Sequence, residues 1–126
     1  MRFRVLMVSA LVAVAACKAV TSPDNGGGGG PAGDVIVGNT FYKSARNGSQ
    51  NPAVDTIAAG DSVTWAWNAA GSHMIQSTGT GPTIFRNSIV LSGATSKYTA
   101  TFKNPGTYPY QCGVHGAAMT GVIVVQ

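Results

Sequence analysis

Beyond residue 33 the sequence contains few side chains able to bind a metal: two histidines, His73 and His115, one cysteine, Cys112, and two methionines, Met74 and Met119. Cysteine and one histidine fall together in Cys112-Gly113-Val114-His115, and Met119 follows four residues later. A tight loop between two strands aims a thiolate, an imidazole and a thioether at one point, because small spacer residues let the chain reverse. A further strong ligand must come from elsewhere, and His73 is the histidine left. Two imidazoles and a thiolate in a plane, with a weak thioether on the axis, suit one copper ion that cycles between Cu(I) and Cu(II). Glutamate is absent from the chain, and the carboxylates after residue 33 are Asp34, Asp55, Asp61 and the C-terminus. The set therefore lacks both an open coordination position and an attendant acid or base, which disfavours catalysis.

Other readings of the same residues stand beside this one. Met119 also reads as plain packing in front of the last strand, and His73 as an ordinary histidine at a strand start. Met74 is a soft donor too, but as the strand neighbour of His73 it should face the opposite way. A structural zinc usually takes four strong ligands, so the thioether makes zinc a poor fit.

The elements that would hold these groups are short β-type runs: Val35–Val37, Val54–Ala58, Ser62–Trp67, His73–Ser77, an interrupted Ile84–Leu91, Tyr98–Phe102, Thr107–Gln111 and Thr120–Val125. Turn residues separate them, among them Gly60-Asp61, Gly79-Thr80-Gly81-Pro82 and Asn104-Pro105-Gly106. Alternation in Ser62-Val63-Thr64-Trp65-Ala66-Trp67 puts the valine and both tryptophans on one face; both tryptophans read as core, Trp67 with partial exposure near Asn68. No run of ten or more residues combines helical periodicity with helix-forming composition. Two sheets packed face to face would bury these faces, so an all-β sandwich of about eight strands is expected. The stretch from Phe41 to Gln50 reads as an irregular excursion, with Asn47-Gly48-Ser49 a plain turn.

The first third of the chain differs in kind. Arg2 and Arg4 precede an apolar run from Val5 to Ala16, and Val14-Ala15-Ala16-Cys17 places small residues before a cysteine. That run is too short to span a bilayer. The pattern resembles a bacterial lipoprotein signal peptide spanning residues 1–16, which implies lipidation of Cys17, export to the periplasm or cell surface, and membrane contact through the anchor alone. Residues 17–33, with five glycines from Gly26 to Gly30, read as a flexible tether, and residues 34–126 as one domain. An exported chain with two cysteines would by default form a disulfide, but pairing Cys17 with Cys112 would remove both proposed roles. Five basic residues face three aspartates after residue 33, without a cluster in sequence. Nucleic acid is therefore not an expected partner, and long-range steering of a partner should be weak.

The segments Gly60-Asp61-Ser62-Val63-Thr64-Trp65, His73, Phe102 through His115, and Met119-Thr120-Gly121-Val122-Ile123-Val124-Val125 resemble the plastocyanin, pseudoazurin and amicyanin branch of the cupredoxins. The resemblance covers residues 34–126. It implies a Greek-key β-sandwich with His73 and His115 as imidazole ligands, Cys112 as thiolate and Met119 as axial thioether to one copper. It further implies a monomeric one-electron carrier, not an enzyme, whose redox partners dock near His115. The alternative within the same chemistry is a copper carrier or storage module. Two departures from the family pattern stand out: the spacing from His115 to Met119, and Met74 where the family commonly has an asparagine that ties the two ligand loops together.

Overall fold

In a computed structural model, residues 33–126 are described. The signal peptide and lipidated Cys17 expected from sequence, and nearly all of the expected tether, lie outside these residues. Eight strands form two four-stranded sheets. They are β1 (Val35–Val37), β2 (Tyr42–Ser44), β3 (Ala53–Ile57), β4 (Ser62–Trp67), β5 (Ile75–Ser77), β6 (Lys97–Thr101), β7 (Gly106–Cys112) and β8 (Gly116–Val125). One sheet has the order β2-β1-β4-β6, and the other β3-β8-β7-β5. Two pairings are parallel, β1 with β4 and β3 with β8; the others are antiparallel. A 3-10 turn at Gly81–Thr83 is the one helical element among the described residues, and no helix there is long and apolar enough to cross a membrane.

Period-two alternation builds the core between the sheets. Val63, Trp65 and Trp67 of β4 are fully buried, as are Val35 and Val37 of β1. Opposite them stand Tyr108, Tyr110 and Cys112 of β7 and Met119, Ile123 and Val125 of β8. The rings interlock edge to face: Trp65 meets Tyr110 at 5.3 Å between centroids, and Phe102 meets Tyr108 at 5.0 Å. The hydroxyl end of Tyr110 also lies close over the backbone opposite it. A Cβ on Gly121, its register partner, would fall 2.1 Å from the tyrosine ring.

Four expectations from sequence are corrected. The run Ile84–Leu91 forms no named strand. Its one ladder-type contact with a sheet is the bridge between Leu91 and His73; the rest are isolated hydrogen bonds, between Ser88 and Ile75, from the Ser77 N–H to Asn87, from the Phe85 N–H to Ser77, and from the Trp67 and Tyr98 side chains to carbonyls of the segment. Pro82 and five exposed positions, Ile84, Arg86, Asn87, Ile89 and Val90, keep most of the segment at the surface. The excursion from Phe41 contains β2, whose Tyr42 and Ser44 point inward on either side of exposed Lys43. Strand β5 starts at Ile75, so His73 precedes it. Trp67 is fully buried, with its Nε1–H donating to the Leu91 carbonyl at 3.1 Å.

Candidate metal centre

The parity of two strands sends donors inward at one end of the sandwich. On β7 the buried row is Tyr108, Tyr110, Cys112; on β8 it begins with Met119. The turn joining these strands carries His115, which remains exposed, and a register shift at Gln111/Cys112 accommodates the extra residues. His73 arrives from the other side of the site. Its backbone exchanges two hydrogen bonds with Leu91, both 2.9 Å, and its side chain is fully buried.

These elements bring His73, Cys112 and His115 together, with one donor atom from each lying within 4.8 Å of the others. The Cys112 Sγ is 3.7 Å from His73 Nδ1 and 3.5 Å from His115 Nδ1. Both imidazoles therefore present the same nitrogen to the sulfur. Met119 is 1% exposed and lies near the three. The Val114 N–H points at the Cys112 sulfur from 3.4 Å. Burial, and secondarily the neighbouring His115, lower the His73 pKa below the ordinary imidazole value, which keeps its ring neutral and its lone pair available. The group suits copper: it contains two imidazole nitrogens and soft sulfur, and the side chains forming it include no carboxylate.

Several supporting residues carry no signal in the sequence. Gly113 donates its N–H to the Met74 carbonyl at 2.9 Å, joining the two ligand segments by backbone. The Tyr42 hydroxyl donates to that same carbonyl at 3.1 Å. Thus Met74, standing where an asparagine was the family's expected tie, contributes a main-chain tie that any residue type would provide. Its sulfur also packs over Gly113, where a Cβ would sit 2.6 Å away. Gly71 leaves room beside His73 Nε2, since a Cβ there would fall 2.8 Å from that nitrogen and 2.9 Å from Asn39 Oδ1. Tyr42 lies against Tyr110 at 5.2 Å, and burial above all raises its pKa, so it stays a neutral donor.

Charge is distributed less evenly in space than along the chain. Asp34 pairs with Arg46 at 2.6 Å, Asp55 is buried and accepts from Ser44 at 2.7 Å, and Asp61 accepts from the Ala58 N–H. Arg86, Lys97 and Lys103, by contrast, all line one half-open groove. The sequence expectation of dispersed charge is therefore revised, because β6 and its flanks bring together cations that are separated along the chain.

Comparison with known proteins matches residues 49–126 to the family described as copper binding proteins, plastocyanin/azurin family. The chain is 39% identical over 82 residues to chloroplastic plastocyanin of Tetradesmus obliquus, a match covering 60% of this chain and 57% of that protein. It is 37% identical over 82 residues to plastocyanin of Scenedesmus fuscus, covering 60% and 84%. The chain thus spans little more than half the length of the first of these relatives. Among solved structures, a purple cupredoxin from Nitrosopumilus maritimus superposes with a TM-score of 0.57 at 26% identity, covering 73% of this chain and 97% of that one. An oxidised proline-to-glycine mutant of amicyanin gives a TM-score of 0.58 at 26% identity, covering 73% and 79%. With its two-sheet sandwich and its nitrogen and sulfur donors gathered at one end, the chain belongs to the plastocyanin/azurin family of copper-binding proteins.

Proposed function

We propose that the protein is a one-electron carrier, with copper held by Nδ1 of His73 and His115, Sγ of Cys112 and the thioether of Met119. The observation that carries this reading is the convergence of three donor atoms within 4.8 Å. Copper bound there supplies a one-electron couple; the protein residues supply a rigid seat. Cys112 and Met119 are fixed by paired strands, and His73 by its two bonds to Leu91, so the donors change position little between oxidation states. His115 is the exposed member, and its imidazole edge gives electrons the shortest way out. Partners dock over it through the loop Gly113–Ala118, whose neighbouring side chains are small or aliphatic.

The burial of His73 and Cys112 favours retention of the metal over delivery to another protein. Among the described residues no carboxylate joins the three donors, Asp55 being committed to Ser44 and Asp34 to Arg46 and the Thr64 N–H. This supports a carrier, not an enzyme. The leader pattern supports export, with Cys17 as a lipid anchor outside the cytoplasm and a monomeric domain beyond it. The visible spectrum tests the central assignment. Copper-loaded wild type should absorb strongly in the visible through charge transfer from Cys112 and bleach on reduction, whereas Cys112→Ser should be colourless. Retention of the band in Cys112→Ser would refute the thiolate assignment.

A further inference from the structure

The groove between the segment Pro82–Leu91 and strand β6 has a volume of about 690 Å³. Phe85, Phe102 and Tyr98 contribute to its apolar lining, and Tyr98 donates its hydroxyl to the Arg86 carbonyl, fastening the segment to β6. Arg86, Lys97 and Lys103 stand around it with exposed side chains, and no carboxylate lines it. These are three of the five basic residues after position 33. Arg46 is paired with Asp34, so most of the domain's unneutralised positive charge meets here.

The rim also exposes apolar area: Ile84 is 60% exposed and Ile89 75%. A small molecule sunk in the groove would leave Ile89 in water, whereas a protein surface laid across it would cover both lips. Exposed apolar side chains with a polar border mark such contacts. At one end the segment reaches the metal cluster directly, through the Leu91 bridge to His73.

We infer that this groove is a second docking surface, which receives an apolar side chain flanked by carboxylates on a redox-protein partner. The three cations attract the acidic rim over a distance and the aromatic floor receives the apolar tip. This contact is separate from the loop around His115, and it supplies the electrostatic orientation that the uncharged loop lacks. It rests on the electron-carrier reading only in naming the partner a redox protein.

The test uses metal-free, isotope-labelled protein and a short synthetic peptide alternating glutamate with leucine, followed by amide chemical-shift mapping. Shifts should gather at residues 82–91 and 97–104, and affinity should fall about tenfold between about 0.02 and about 0.2 M salt, as the screening length shortens. The counterpart peptide with glutamine in place of glutamate should bind at least about fivefold more weakly. Arg86→Glu with Lys103→Glu should weaken the acidic peptide about tenfold or more, as expected when an attractive rim becomes repulsive. Ile89→Ser, at a position too exposed to affect folding, should weaken it about threefold, the scale of a partly buried aliphatic contact. Shifts confined to residues 113–118, equal binding of the glutamine peptide, or indifference to the charge reversals would overturn the proposal. So would stronger perturbation of the groove by vesicles of phosphatidylglycerol than by the peptide, which would make it a membrane contact. Because the mapping needs no copper, its failure is distinguishable from a colourless wild type, which would instead overturn the electron-carrier reading.

Discussion

The contact between Met74 and Gly113 joins the two halves of the metal site, and one added methyl group should reveal how tightly. In Gly113→Ala the new Cβ would lie 2.6 Å from Met74 Sδ, 3.2 Å from its Cγ and 3.3 Å from its Cβ. Favourable contact needs about 3.5–4.0 Å, so the sulfur must retreat by about 1 Å. The thioether end swings easily, but the Met74 Cβ is held by a backbone that receives hydrogen bonds from both Gly113 and Tyr42 at the same carbonyl. The clash is therefore relieved only in part, and overpacking of this kind costs about 1–3 kcal/mol. Met74→Ala, at a half-buried position, should cost about 1–2 kcal/mol, below the range for a fully buried side chain. In the double variant the added methyl occupies space the sulfur has left. Its stability should match Met74→Ala, so the coupling in a double-mutant cycle should equal the whole cost of Gly113→Ala, about 1–3 kcal/mol. Urea unfolding of the metal-free proteins measures these differences, and each kcal/mol should also move Tm by about 4–8 °C. In copper-loaded Gly113→Ala the visible band should shift, and in the double variant it should return toward wild type. Additivity of the two substitutions within about 0.5 kcal/mol would refute the argument.

Replacing Met119 by Leu should keep the visible band and raise the reduction potential, because loss of a weak donor disfavours Cu(II) more than Cu(I); replacement by Gln should lower it. Voltammetry checks both, and an unchanged potential in the two variants would make Met119 core packing alone. Ala117→Glu places a charge in the exposed apolar loop beside His115 and should slow electron exchange with the physiological partner in stopped flow, leaving the spectrum intact. Equal rates would move the docking surface away from that loop. Cys17→Ser should release the protein from the membrane fraction or block its processing, and an intact mass showing an unmodified Cys17 in the mature protein would rule out the anchor.

Where the sequence was readable, the physics was local. Alternation in Ser62–Trp67 disclosed the inward face of β4, and the compact Cys112-Gly113-Val114-His115 run disclosed a ligand loop because a turn between strands leaves little choice of direction. The misreadings arose where tertiary contacts decide the structure. Tyr42-Lys43-Ser44 is too short for alternation to stand out, and it pairs because Val35–Val37 lies beside it. Ile84–Leu91 has strand-like composition, yet the segment is held by isolated bonds and turns its isoleucines outward. Residues 86, 97 and 103 are far enough apart in the chain that their shared groove appears only after β6 and its flanking segments are folded. The tie from Gly113 to Met74 is made by main-chain atoms, which every residue possesses. Both tryptophans are legible as core, and Trp67 escapes even partial exposure because its Nε1–H finds a carbonyl on the segment that covers it.

The candidate ligands are divided unequally between near and distant parts of the chain. Cys112, His115 and Met119 belong to one β-hairpin, whereas His73 precedes Cys112 by 39 residues. A hairpin closes in about 1–10 μs, so three of the four donors are neighbours long before the sandwich is complete. His73 joins them only when β5 has docked on β7, a non-local step with a larger loop-closure cost. An unfolded or half-folded chain consequently retains a partial chelating site. Ion binding to that form draws the equilibrium toward it, offsetting some of the stabilisation the native site gains. Heat resistance conferred by copper should then be smaller than affinity for the folded domain alone implies, and chain that meets the ion before folding would begin with the hairpin already clasped.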